Sequence, residues 1–129
     1  MSKIKMSGID IDEISVGDGR EALKGTTVTV HLIGTLRRGD VFLDTRQYGI
    51  PSVFVVGSHK GIAGLAKGVA GMRVGGRRKI RISPHLAYGE KGVASVGGFH
   101  LLPVPPNAVV IFDVELLEVR DPVSSRTQE

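Results

Sequence analysis

The sequence has no cysteine and no tryptophan, and its aromatic residues are four phenylalanines and two tyrosines in 129 positions. Without cysteine there is no disulfide framework, no thiolate zinc or iron–sulfur site, and no cysteine nucleophile. Long apolar runs are missing as well. The longest fully apolar run is 108–112, whereas a membrane-spanning helix needs about 20 residues. Residues 1–10 lack the apolar stretch of a secretory signal, so the cytoplasm is the expected compartment. No internal repeat is evident. A chain of this length predicts a single domain that buries about two-thirds of its unfolded surface without cross-links.

Glycine is abundant, at 18 residues, about twice the usual ~7% and without collagen periodicity. The net charge of +4 is unevenly placed. Residues 37–91 carry 11 Lys or Arg against Asp40, Asp44 and Glu90. A solvated strand and loop face is the simpler reading of this segment. Contact with nucleic acid or the ribosome is the lesser alternative, because no aromatic run interleaves with the charges to stack bases.

Turn signals divide the chain into short strands. Ile9, Ile11 and Val16 lead into Gly17-Asp18-Gly19. Residues 26–32 alternate, with Val28, Val30 and Leu32 on one face and Thr27, Thr29 and His31 on the other. Arg38-Gly39-Asp40 turns toward Val41-Phe42-Leu43, and 53–56 is a compact apolar strand. Residues 60–72 change period: Ile62, Leu65, Ala66, Val69 and Met72 form a helical stripe. Gly64 and Gly68 each cost that helix about 1 kcal/mol relative to Ala, so packing must hold it. Residues 77–83 alternate again, with Ile80 and Ile82 inward and Lys79 and Arg81 outward. Residues 84–92 read as loop, 93–103 show no clear period, and 107–120 form the longest strand. The pattern predicts an α+β fold, a curved antiparallel sheet of five to six strands wrapped around one short helix. Residues 1–8 are read as an N-terminal extension, 9–120 as the domain, and 121–129 as a flexible tail.

A search for reactive constellations is empty. Gly57, Gly61 and Gly64 do not have the spacing of a phosphate-binding loop. His31, His59, His85 and His100 are scattered without metal-ligand spacing. Ser95 lies in a sequence that misses the nucleophile-elbow pattern. Asp113 and Glu115 share one strand face and read as solvent-facing or structural. No metal or cofactor is expected.

Four ordered segments nonetheless resemble the FKBP-type peptidyl-prolyl cis-trans isomerases. They are Val30-His31-Leu32-Ile33-Gly34-Thr35-Leu36, then Gly68-Val69-Ala70-Gly71-Met72-Arg73-Val74-Gly75-Gly76, then Ile82-Ser83-Pro84 with Leu86-Ala87-Tyr88-Gly89. The last is Pro105-Pro106-Asn107-Ala108 running into Val110-Ile111-Phe112-Asp113-Val114-Glu115-Leu116-Leu117. The resemblance implies catalysed rotation about X–Pro bonds in unfolded or flexible polypeptides. Such rotation crosses a barrier of about 18–20 kcal/mol and requires no nucleophile.

Carried over by motif, the resemblance assigns the catalytic positions to Tyr88, Asp44 and Phe112. It assigns Phe42, Phe54, Ile62, Leu65, Leu32 and Val104 to substrate binding. Asp44 corresponds to a pocket aspartate, with Leu43 as the competing register. Three positions depart from the family: Leu32 replaces a tyrosine, Leu65 a tryptophan and Ser52 a phenylalanine. They imply reduced activity and weak macrolide binding. A catalytically weak or inactive protein-binding module is the alternative. A monomer is expected.

Overall fold

The computed structural model describes residues 3–94 and 100–122. Ser95, the middle of the 93–103 segment and most of the tail lie outside the described residues. Seven strands run in chain order: β1 Lys3–Met6, β2 Ile9–Ser15, β3 Thr27–Leu36, β4 Val41–Asp44, β5 Ser52–Val55, β6 Arg77–Ile82 and β7 Val110–Arg120. Two short helices interrupt them, α1 Thr45–Tyr48 and α2 Ala63–Gly68, with a single 3-10 turn at Pro84–Leu86.

All pairings are antiparallel, in the order β1-β2-β6-β7-β3-β4, with β5 also pairing β3. The antiparallel α+β class is the one the sequence pattern implied. The count is seven strands rather than five to six, because Lys3–Met6 pairs with residues 9–12. A second helix also appears. Thr45–Tyr48 is too short to show a period. Its ends are set by the Asp44 carboxylate accepting from the Arg46 N–H and by Gly49 at φ 70°, the capping chemistry that terminates helices.

Alternation along β3 buries Val28, Val30 and Leu32. Ile9, Ile11, Ile80, Ile82, Val110, Phe112, Val114 and Leu116 join them on the same inner face. Leu65, Val69 and Met72 pack against that face from α2 and the turn after it. Helical structure occupies Ala63–Gly68, well inside the 60–72 stripe. The two helical glycines explain how it is seated. A Cβ at Gly64 would lie 2.4 Å from Ile82 Cγ2, and one at Gly68 would lie 2.8 Å from Ile80 Cγ2. Their cost in helix propensity is offset by close approach of the helix backbone to β6.

The basic segment spreads over both sides of the sheet. Lys79 and Arg81 are exposed opposite Asp12 and Asp10 on β2, whereas Arg78 is buried. Arg77 makes two hydrogen bonds to Asp113, at 3.3 and 2.8 Å, and Arg46 pairs with Glu115. Asp113 and Glu115 are thus structural partners, and the outer groove between His31 and these pairs is occupied by its own ions.

Candidate functional site

β3, β4, β5, β7 and the approach to α2 enclose an apolar cavity of about 240 Å³. Leu32, Leu43 and Phe112 form one side of its lining. Phe54 lines it from β5 with Ser52 and Val53, and Ile62, Leu65 and Ala66 line it from the start of α2. Lys60 and Gly61 complete the lining. Five of the residues proposed from sequence therefore share one cavity: Leu32, Phe54, Ile62, Leu65 and Phe112.

The deep side is buried. Phe112 is fully buried and Leu32 and Leu65 are each 4% exposed. Ile62 immediately precedes α2 and its carbonyl accepts from the Leu65 and Ala66 N–H groups. Its own backbone N–H donates to no acceptor among the described residues. A hydrogen-bond donor therefore stands beside an apolar wall.

Tyr88 and Phe42 stand behind this lining. Phe42 packs edge-on against Phe112 with ring centroids 5.8 Å apart, and Tyr88 packs edge-on against Phe42 at the same separation. His100 stacks on Phe42 at 5.7 Å and meets Tyr88 edge-on at 5.5 Å. Burial raises the Tyr88 pKa, so the phenol keeps its proton across the physiological range. Its hydroxyl makes no hydrogen bond among the described residues. Val104 belongs to a different contact, a two-bond bridge with Val93 at 2.8 and 2.9 Å, and is part of the core.

Asp44 does not line the cavity; Leu43 does. The register explains the exchange. Gly34 pairs with Leu43 while Thr35 pairs with Val41, so Phe42 is the extra residue of a bulge. Phe42 and Leu43 both turn inward, and Asp44 follows as the cap of α1. Thr45 then fastens the helix to β3, its hydroxyl 2.8 Å from His31 Nδ1 and 2.9 Å from the Leu32 N–H.

Several site residues had no clear signal in the sequence. His100 joins the aromatic cluster through its bridge to Leu43 on β4, beside which the Leu101 N–H donates to the Phe42 carbonyl at 2.7 Å. Lys60 sits two positions before Ile62 on the rim, in a turn where the Lys60 N–H donates to Ser58 Oγ at 3.0 Å. Among the described residues no three His, Asp or Glu are grouped to hold a metal.

The apolar cavity thus lies at the start of a short helix packed on an antiparallel sheet and is backed by an aromatic cluster with one tyrosine. A family model described as FKBP-type peptidyl-prolyl cis-trans isomerase matches residues 18–117. The chain belongs to this family.

Among FKBP relatives, FK506-binding protein 4 of Emericella nidulans is 43% identical over 116 residues, which is 90% of this chain and 22% of that protein. Peptidyl-prolyl cis-trans isomerase FKBP1A of Xenopus laevis is 40% identical over 113 residues, 87% of this chain and 98% of the relative. The chain thus spans less than a quarter of the fungal relative and nearly all of the frog one. Solved FKBP structures agree with the fold. AtFKBP13 superposes with a TM-score of 0.76 at 34% identity, covering 92% of this chain and 98% of that one. FkpA from Escherichia coli superposes with a TM-score of 0.78 at 32% identity, covering 94% and 53%.

Proposed function

We propose that this FKBP domain accelerates rotation about X–Pro peptide bonds in flexible polypeptides, with the proline ring seated in the cavity between Phe54, Ile62, Leu65 and Phe112. The observation that carries the reading is this apolar cavity in a chain of the isomerase family. The chemistry needs little else. A planar X–Pro amide is held by resonance behind a barrier of about 18–20 kcal/mol, and the twisted amide is the less polar species. A dry apolar wall favours that species over the planar one, which lowers the barrier without a covalent intermediate. The Ile62 N–H, which has no acceptor among the described residues, is the backbone donor at the cavity for a carbonyl flanking the proline. The Tyr88 hydroxyl, which lies outside the lining, is the second donor that the family resemblance implies.

Exchange NMR on a short Leu-Pro peptide tests the proposal. Interconversion of cis and trans forms is expected to speed up in proportion to enzyme concentration, and Phe54→Ala is expected to slow it. A folded protein giving no rate above the uncatalysed one overturns the proposal.

One observation favours a second reading. Leu32, Leu43 and Leu65 make much of the lining aliphatic, with no carboxylate from β4, which suits a proline-binding module of low turnover. Peptide-induced shifts at Ile62 and Phe112 without acceleration would decide for that reading.

A further inference from the structure

We propose that Lys60 makes this site selective for prolines flanked by an acidic residue. The inference rests on the proposed proline site and specifies its substrate class. Lys60 is the single charged residue among those lining the cavity. It is exposed and, among the described residues, forms no ion pair. The carboxylate that could have neutralised it across the cavity is engaged elsewhere. Asp44 accepts from the Arg46 N–H as the cap of α1, and Leu43 occupies the lining position on β4.

A proline seated against Leu65 and Phe112 carries its neighbouring residues out across the rim, where the one formal charge among the described lining residues is positive. An acidic neighbour meets an unpaired ammonium there, and a basic neighbour meets repulsion. The lysine's flexible four-carbon stem lets the ammonium follow either flanking position. Because the rim is solvated, the preference is modest, of the size an exposed ion pair supplies, about two- to five-fold, and it weakens with salt.

The test compares peptides that differ only in the residue before or after proline, carrying Glu, Gln or Lys. Both kcat/KM and binding, by chemical-shift titration, are measured at low and high salt. The wild-type protein is expected to favour Glu over Gln and Gln over Lys at one flanking position at least. Lys60→Gln should flatten the order and Lys60→Glu should invert it. Lys67→Glu, an exposed charge reversal on α2 outside the lining, should leave the order intact.

Equal handling of the Glu and Lys peptides by wild type overturns the inference, while turnover of the Gln peptide still supports the isomerase reading. An equal effect of Lys67→Glu also overturns it, since the preference would then come from the overall field. If no peptide is turned over, the isomerase reading falls, and the binding order alone decides whether Lys60 selects the flanking charge.

Discussion

Arg78 and Glu13 form an enclosed ion pair between adjacent strands, with Nε 2.9 Å from Oε1 and side chains only 5% and 13% exposed. The same guanidinium donates to the carbonyls of Gly68 and Ala70 at 2.9 and 2.7 Å. It thereby closes the C-terminal end of α2 onto β6, where helix carbonyls lack intrahelical partners. Arg78→Ala leaves Glu13 and two carbonyls without these partners and is expected to cost about 3–5 kcal/mol. Glu13→Gln keeps the shape and a polar partner and should cost about 1–3 kcal/mol. Urea denaturation of both variants checks this order; a loss below 1 kcal/mol for Arg78→Ala refutes the role.

Gly34 faces the aromatic cluster. A Cβ there would lie 2.7 Å from Phe42 Cζ and 2.9 Å from Phe112 Cε1. Gly34→Ala is expected to destabilise by about 1–3 kcal/mol through overpacking, and to lower kcat/KM because Phe112 lines the cavity. Melting and exchange assays on the same variant check both effects. Full stability with normal activity would mean that the rings move aside freely.

His100 couples the aromatic cluster to pH. Burial, opposed by the Leu102 backbone, lowers its pKa below the ordinary 6.5. The unfolded chain therefore takes up this proton at a higher pH than the folded one. The contribution is fully present above about pH 6.5 and is lost as pH falls through the folded value. Relative to His100→Phe, the wild-type protein should lose stability as pH falls below about 6.5, in thermal melts from neutral to mildly acidic pH. Parallel pH profiles for the two proteins contradict this.

The aliphatic lining can be tested by restoring aromatic surface. Leu65→Trp and Leu32→Tyr place rings at two positions of the cavity wall. If catalysis is limited by that wall, kcat/KM should rise several-fold; a drop with retained fold means the cavity is already filled correctly by leucine. Tyr88→Phe, which keeps the ring contacts with Phe42 and His100, should reduce kcat/KM about two- to ten-fold with little change in melting temperature. An unchanged rate removes the hydroxyl from the proposed chemistry.

The strands were legible because alternation is a local signal. Val28, Val30 and Leu32 against Thr27, Thr29 and His31 require no knowledge of a partner strand. The helix was legible in kind but too long in extent, since the stripe to Met72 continues through a turn that merely packs on the same core. Arg78 was not legible. It occupies an inward position between Arg77 and Lys79, and only the carbonyls of Gly68 and Ala70 make burying it favourable. Nor was the place of His100, which depends on the chain coming back to pair with β4.

By itself the sequence determined the antiparallel α+β class and the family resemblance. The tertiary structure decided which residue of the Leu43–Asp44 pair enters the cavity. Strand side chains alternate with period two, so a one-residue bulge exchanges inward for outward positions. That bulge exists only in the pairing of β4 with β3. It turns Leu43 inward and assigns Asp44 to the cap of α1, which leaves Lys60 as the one charged residue among the described residues lining the cavity.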